Sequence, residues 1–453
     1  MIINVTVENF WSINEQLMFN LTAAKRYKEG MTIPVEKYKM NVLPLCAIYG
    51  ANGSGKSNLV RAIRLMRDKV VHKSEIAVVP FKFDSEQNEI KPSRFSILFL
   101  DKEGEMYQYG FSAIGSDIQD EWLSVYRTQR ETMLFERSPS DDSQRSEFSF
   151  GNALIKDTKN GRQYLDFVAQ GLSQKHLYLS EAAERGVGMC MRIVEWFKEH
   201  LAVITPEMRA LNVTARILFD PEVRECVVGL LKDMDLDFDG FSVKEREIDV
   251  DELRDKCASD AQFQSLKQDL FDADERKKII QFFDRYVVYC RSAENTVIEK
   301  RLLISHKRKD GSIAELPIEA TSSGFKRMLD FVMLLVDDKV SSKTIVIDEI
   351  ERSLHTLLAM RFIEQFLHRS IDEGMSGQLV FVTHDTNLLN TDILRRDEIQ
   401  FMEKDDYSAS HLTNLAEFKV IPGLNREKGY LDGRFGAIPI LSHTLENLGR
   451  CEK

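Results

Sequence analysis

The chain has 453 residues, enough for two or three domains or for one large α/β domain with an insertion. Its 43% apolar and 29% charged residues make an ordinary globular balance, which excludes a disordered or fibrous protein. The net charge of −11 argues against a surface coated in basic side chains for nucleic acid, although 61 Lys and Arg residues leave room for a local basic patch. The longest strongly apolar run, residues 331–336, is far short of the roughly 20 residues a membrane span needs. The opening Met1-Ile2-Ile3-Asn4-Val5 has no basic start before an apolar core, so no signal peptide is expected. Six cysteines (Cys46, Cys190, Cys226, Cys257, Cys290, Cys451) form no C-x-x-C pair. They predict reduced, mostly buried thiols and a cytoplasmic location, not a zinc site or a disulfide frame.

In chain order, Ile3, Val5 and Val7 alternate, Phe10 and Trp11 follow, and Leu17 and Phe19 alternate again. That pattern predicts a strand, a tight turn near Asn9 and residues 12–14, and a second strand. Residues 21–41 are polar and mixed, as in a loop. Pro44 to Tyr49 reads as a short buried strand, and residues 58–66 carry apolar side chains at helical spacing. Between them lies Gly50-Ala51-Asn52-Gly53-Ser54-Gly55-Lys56-Ser57, which fits the phosphate-loop pattern G-x-x-x-x-G-K-[ST]. Its glycines let backbone N–H groups wrap phosphates, and the positive end of the following helix favours an anion. Lys56 would reach the terminal phosphates and Ser57 would hold Mg²⁺. The motif predicts a nucleoside triphosphate site.

Phe95–Leu100, Met106–Phe111, Glu121–Leu123 and Met133–Phe135 predict an antiparallel meander. Residues 136–162, rich in Ser, Asp, Asn and Gly, predict an exposed loop with one strand at most. From about 165 to 300 the periodicity is helical: Met191, Val194, Trp196, Phe197 and Leu201 fit one helix, and Leu253 to Val287 fit one or more others. Folded as two antiparallel helices, 251–290 would project only about 30 Å, a short lobe and not a long coiled-coil arm. Beyond 300 the chain predicts strand (Leu302–Ser305), turn (309–311), strand (Ala314–Ile318) and helix (323–336). A strand (Thr344–Ile347), a helix (353–370) and a strand (Leu379–Val382) follow. Such alternation builds a parallel sheet.

Three further motifs carry chemistry. Asp348-Glu349 directly follows an apolar strand, on the ligand-binding edge of an open parallel sheet. Asp348 suits Mg²⁺ through a water, and Glu349 suits polarising the water that attacks the γ-phosphate. Ser322-Ser323-Gly324 opens an amphipathic helix, a second anion-binding helix end that one nucleotide does not need unless it belongs to another subunit. His384 stands just past the Leu379–Val382 strand, where an imidazole can hydrogen-bond a γ-phosphate.

In this order the parts resemble an ABC-type ATPase head of the structural-maintenance-of-chromosomes, Rad-fifty and RecF kind. Gly50–Ser57 matches the Walker A loop and Thr344–Glu349 the Walker B strand. Ser322-Ser323-Gly324 matches the signature motif, Ser353-Leu354-His355 the D-loop and His384 the switch histidine. The chain further resembles the stand-alone AAA-fifteen, or Rlo-type, ATPases of bacterial defence loci. Val7-Glu8-Asn9-Phe10, Ser322-Ser323-Gly324-Phe325-Lys326-Arg327, Asp348-Glu349-Ile350-Glu351, Thr383-His384-Asp385-Thr386-Asn387 and the stretch from Gly429 to Pro439 carry that likeness. Two departures stand out. The signature reads Thr-Ser-Ser-Gly-Phe where such heads carry Leu-Ser-Gly-Gly-Gln, and no Q-loop glutamine is placed, although Gln87 lies at a suitable distance.

The resemblance implies an α/β fold. Its parts would be an ABC-type P-loop head with an N-terminal antiparallel β-subdomain, a mostly parallel core sheet and an inserted short helical lobe. The boundaries expected are 1–165, 166–300 and 301–453. It implies ATP and Mg²⁺ as cofactors, bound by Gly50, Asn52, Gly53, Ser54, Gly55, Lys56, Ser57 and Asn58, with Ser57 and Asp348 at the metal. Lys56, Glu349 and His384 would be catalytic. Ser322, Ser323 and Gly324 would cap the nucleotide of a second subunit, giving a homodimer or higher even oligomer that closes on ATP and resets on hydrolysis. It further implies a sensor or scaffold holding a separate effector, such as a nuclease or toxin from the same locus, in anti-phage defence. Two other readings stay open: a repair or recombination head acting on DNA ends, and a binding module in which ATP serves only as glue.

Overall fold

The computed structural model describes residues 1–438 except 28–29, 129, 141–145, 207–212, 235, 237, 258, 261–262, 265–266, 268–269, 271–279, 282–286, 292–295, 337–342, 373–376, 391–392 and 420–424. The chain divides into two compact units, residues 1–205 with 341–350 and 370–453, and residues 206–340 with 351–369. The boundaries expected at 165 and 300 divide the chain differently. Among the described residues no helix is long and apolar enough to cross a membrane.

The first unit holds two sheets. The seven-stranded one is antiparallel, in the spatial order Ser146–Phe150, Glu131–Pro139, Asp117–Tyr126, Met106–Ile114, Ser93–Leu100, Ile2–Glu8 and Leu17–Asn20. Its first hairpin pairs Val5 with Phe19 and Val7 with Leu17, so the alternating apolar residues share one buried face. The turn closes with Phe10 N–H on Ile13 O at 2.7 Å, and Asn9 and Trp11 take the left-handed backbone. The predicted meander is present, each strand longer than its apolar signal.

The six-stranded core sheet runs Leu201–Ile204, Thr344–Ile347, Gln378–Val382, Leu45–Tyr49, Ile399–Lys404 and Ser410–Asn414. Every pair is parallel except the last. The three central strands are buried at every position, which is why they read as continuous apolar runs without alternation. Gln378 binds the first strand to this sheet. Its amide donates to Ile2 O (2.9 Å) and Leu43 O (3.1 Å), while its carbonyl accepts from Ile2 N–H (2.6 Å) and Thr344 Oγ1 (3.0 Å).

The second unit has its own sheet, in which Val297–Lys307 pairs antiparallel with Gly240–Ile248, Val287–Arg291 and Ile313–Pro317. Its helices include Pro221–Asp233, capped by Asp220 with Pro221 at the first position, and Ser323–Val336. The Phe331 and Phe362 rings lie 4.8 Å apart.

Four expectations are corrected. Residues 21–41 contain a small hairpin, Ile33–Val35 with Met40–Val42, anchored where Tyr38 Oη donates to Tyr126 O at 2.6 Å. Residues 136–162, read as an exposed loop with room for one strand, hold that strand at Ser146–Phe150 but also the unexpected Asn152–Asp157 helix. The helix predicted through Leu201 ends earlier, in a π turn at Trp196–His200, and Leu201 opens the strand beside Thr344–Ile347. A partner more than 140 residues away cannot be read from local apolar spacing. Within 166–300, helices such as Tyr178–Glu184 and Val250–Asp255 are present, but Gly240–Ile248 and Val287–Arg291 are strands. Lys244-Glu245-Arg246-Glu247 is exposed and has no apolar period, so only pairing with Val297–Lys307 defines it as a strand. Leu266, Ile279 and Phe283, assigned to the same helices, lie outside the described residues, as do Pro439 and Cys451.

Replacing Gln378 by Leu would strand two backbone groups of Ile2, the Leu43 carbonyl and the Thr344 hydroxyl inside the fold. We expect at least about 4 kcal/mol of destabilisation, at roughly 1–3 kcal/mol per orphaned buried group. Urea unfolding followed in the first unit would measure it, and a shift below about 0.5 kcal/mol would show the tie to be dispensable.

Candidate functional site

The site forms at one edge of the core sheet, within the first unit. Ile347 pairs with Phe381, and Val382 with Ile48, so the three strands end at the same edge, each stepped by one residue from the next. The phosphate loop, Asp348-Glu349 and Thr383-His384 therefore leave the sheet side by side.

The loop from Gly50 to Gly55 leads directly into the helix Lys56–His72, with Gly53 and Gly55 in left-handed backbone. Two glycines are also required by space. A Cβ on Gly50 would lie 2.2 Å from Met402 O, and one on Gly55 would lie 2.1 Å from Ser410 Oγ. Ser410 Oγ donates to Ser54 O at 2.7 Å, Ser410 N–H donates to Ser12 O at 2.7 Å, and Asn58 Nδ2 donates to Ser12 Oγ at 2.7 Å. The N-terminal turn and the strand Ser410–Asn414 thus brace the loop from outside it. Neither Ser12 nor Ser410 is visible in the sequence as a site residue, because each acts through a partner far along the chain.

Lys56 is buried, and its Nζ donates to Gly50 O at 2.7 Å and Ala51 O at 3.0 Å, with His384 Nδ1 at 3.5 Å. The ammonium therefore stands at the loop mouth beside the predicted switch histidine. Ser54 Oγ is buried with no hydrogen-bond partner among the described residues. A buried orphan hydroxyl in such a loop is a vacant donor for an anion.

Ser57 Oγ donates to Asp348 Oδ1 at 3.2 Å. A hydroxyl and a carboxylate this close suit a hard cation that keeps several waters and takes its other ligands from phosphates. Burial, opposed by the Ser57 hydrogen bond and reinforced by the nearby Glu349 charge, raises the Asp348 carboxyl above the usual range. Glu349 sits in left-handed backbone at φ 53°. The reason lies in its neighbours. Asp348 N–H donates to Ile204 O at 2.9 Å and Ile350 N–H donates to Val382 O at 3.1 Å, so the flanking residues are bonded to strands on opposite sides. Glu349 must turn out of the sheet between them, a conformation uncommon for a residue with a side chain.

His384 is exposed, one residue beyond Thr383, whose N–H donates to Ile48 O at 3.1 Å. The structure thus brings Lys56, Ser57, Asp348, Glu349 and His384 to one edge, with Asn52 and Gly53 at the exposed tip of the loop.

The predicted signature lies in the second unit. Ser322 Oγ accepts Phe325 N–H at 3.1 Å as the cap of Ser323–Val336, and Ser322 and Ser323 are exposed. A Cβ on Gly324 would lie 2.7 Å from Ser353 O, and Ser353 itself is left-handed at φ 65°. The signature glycine and the predicted D-loop serine are in direct contact. The helix read from residue 353 begins instead at Thr356, because Ser353 breaks its start.

Residues 45–390 match the family model described as "AAA domain, putative AbiEii toxin, Type IV TA system". No curated protein matches the chain. Among solved structures, the SMC head domain from Thermotoga maritima aligns with a TM-score of 0.37 and 11% identity, over 92% of this chain and 99% of that one. An SMC head bound to the C-winged helix domain of ScpA gives 0.38 and 13%, over 92% and 99%. The recombination mediator protein RecF gives 0.30 and 13%, over 91% and 98%.

Because burial lifts the Asp348 carboxyl, its ionisation weakens the fold as pH rises from about 3.9 through the raised value. At neutral pH, Asp348→Asn should therefore leave the nucleotide-free protein as stable as wild type or slightly more so. It should also abolish the Mg²⁺-dependent part of the thermal shift given by ATP. Differential scanning fluorimetry reads both, and a clear drop in the nucleotide-free midpoint would refute this account of the site.

Proposed function

This chain belongs to the AAA-domain family that residues 45–390 match, and from that premise we propose that it is a Mg²⁺-dependent ATPase gating a partner effector. The observation that carries the reading is the convergence of Lys56, Ser57, Asp348, Glu349 and His384 at the end of one parallel sheet.

The loop backbone and the Ser54 hydroxyl would hold the β- and γ-phosphates, and Lys56 would exchange its bonds to Gly50 O and Ala51 O for phosphate oxygens. Ser57 and Asp348 would hold Mg²⁺, which neutralises charge on the phosphates as the terminal one departs. Glu349 takes the proton of the attacking water, its position fixed by the sheet bonds on either side. His384 faces the γ-phosphate from the neighbouring strand end.

We further propose that two chains close around ATP, each presenting the exposed Ser322 and Ser323, with Gly324 beside them, to the γ-phosphate held by the other. The exposure of both serines, and the close contact of Gly324 with Ser353, support a preformed binding surface there. The effector is then held or released with the ATP state, in a defence system of the Rlo type. A family described for toxin–antitoxin systems suits that reading. Cytoplasmic location belongs to the same proposal.

Purified wild type and Glu349→Gln should be compared for ATP turnover with and without duplex DNA. We expect slow turnover indifferent to DNA, reduced at least about 100-fold in the mutant, which should also elute as an ATP-dependent dimer in size-exclusion chromatography. Lys56→Ala should weaken ATP binding instead. Turnover stimulated by DNA would favour a head that acts on DNA, and equal turnover in Glu349→Gln would refute the assignment of the base.

A further inference from the structure

The chemistry at the sheet edge leaves one sequence motif without a role, the stretch from Gly429 onward. Its described residues fold back on the site. The helix Arg426–Leu431 is capped by Asn425, whose side chain accepts Lys428 N–H at 2.8 Å. It is anchored upstream by Arg426, which donates to Leu394 O at 2.7 Å. Downstream, Gly433 and Gly436 turn the chain in left-handed backbone. A Cβ on Gly436 would lie 2.2 Å from Glu403 Oε2, the same oxygen that accepts Ala437 N–H at 3.0 Å. Tyr430 Oη donates to Ala437 O at 3.0 Å and closes the loop on the helix. The segment is fully specified by its own contacts.

Two of its side chains, Tyr430 and Glu427, reach residues next to the site. Tyr430 stacks on Phe401 at 5.3 Å and meets Tyr49, the residue before the phosphate loop, edge-on at 6.0 Å. Glu427 Oε1 accepts Thr386 Oγ1 at 2.9 Å. Thr386 opens the 3-10 turn Thr386–Asn390, only two residues past His384. His384 therefore lies in a short link with one end fixed and one end clasped. The fixed end is Thr383, buried and bonded to Ile48 O. The clasped end is Thr386, held by Glu427. Between them Asp385 N–H donates back to Thr383 Oγ1 at 3.0 Å, so the link has little slack.

We propose that the helix Arg426–Leu431 positions His384, through Glu427 on Thr386, while Tyr430 steadies the strand end that carries the phosphate loop. The inference rests on the ATPase reading for what His384 does, but not for how it is held. Thr386 and Glu427 touch no reacting atom; they are positioning residues. An exposed histidine on an unfastened link would sample many orientations, and a small misplacement of a group facing the γ-phosphate is costly in rate. The same arrangement gives Tyr430, Gly433 and Gly436 of the motif a structural role, with Glu427 just upstream of it supplying the acid.

The test uses the full chain. Thr386→Val keeps the shape and loses the hydroxyl, and Thr386→Ser restores it. Glu427→Ala loses the acceptor, and Glu427→Gln keeps it. We expect Thr386→Val and Glu427→Ala to lower kcat about ten-fold with KM unchanged, and the serine and glutamine variants to stay within about two-fold of wild type. The Thr386→Val/Glu427→Ala double variant should be no slower than either single one. An independent readout is the imidazole NMR signal of His384, assigned by its loss in His384→Asn and followed without nucleotide. It should shift or broaden in Thr386→Val and return in Thr386→Ser. Wild-type turnover and an unchanged signal in Thr386→Val would overturn the proposal, as would equal impairment in Thr386→Ser. If wild type hydrolyses no ATP but the signal still follows the threonine hydroxyl, the ATPase reading fails and the clasp stands. If Glu349→Gln abolishes turnover and Thr386→Val does not lower it, the clasp fails and the ATPase stands.

Discussion

The site depends on three parallel strands that end at one edge of the core sheet. Pairing Ile347 with Phe381 and Val382 with Ile48 steps the strand ends by one residue from Ile347 to Val382 to Tyr49, so the loops that follow leave the same edge. A shift of one residue in any ladder would turn every side chain of that strand to the opposite face and bury the wrong groups. Because all three strands are buried on both faces, such a shift is prohibited by the core and not by the site. Apolar packing thus sets where Lys56, Ser57, Asp348, Glu349 and His384 stand. The left-handed turn at Glu349 follows from the same ladder, since its neighbours are bonded to strands on either side.

The phosphate loop is held differently, by close approach. Met402 O and Ser410 Oγ stand where a Cβ on Gly50 or Gly55 would be, so the loop is pressed against the neighbouring strands as tightly as backbone allows. Ser12, from the first turn of the chain, completes the brace through Ser410 and Asn58. The N-terminal hairpin therefore serves the nucleotide site as well as the antiparallel sheet. Gln378 links the two sheets at the opposite end of its strand from His384, so one strand couples the hairpin, the core and the site edge.

The parts most legible in the sequence were those whose signal is local. The phosphate loop, the Thr344–Ile347 strand and the Asp348-Glu349 pair were placed by a few adjacent residues each, and the fully buried strands by continuous apolar runs. The parts that were hidden depend on remote partners. Leu201–Ile204 looked like the end of a helix because its strand partner, Thr344–Ile347, lies more than 140 residues away. Gly240–Ile248 has an exposed charged middle and is a strand only by virtue of Val297–Lys307. Ser12 and Ser410 are ordinary serines until the fold brings them together. Glu427 and Thr386, 41 residues apart, form a pair that no spacing rule anticipates.

Two buried carboxylates show how function and structure part company here. Burial raises both Glu121 and Asp348 above the usual carboxyl range. Glu121 accepts Tyr178 N–H at 2.6 Å, Leu179 N–H at 3.0 Å and Tyr109 Oη at 3.0 Å, with Arg137 at 4.0 Å. Its lone pairs are taken up, and it acts as a fixed joint between the meander and the helix Tyr178–Glu184. Among the described residues Asp348 accepts from Ser57 alone, at 3.2 Å, and it faces the Glu349 charge. A buried acid left with spare acceptor capacity beside a second acid costs stability, and nothing in the packing requires it. Such a cost is sustained where a cation and phosphates complete the set. The two acids differ not in burial or in the direction of their titration, but in whether the protein by itself satisfies them.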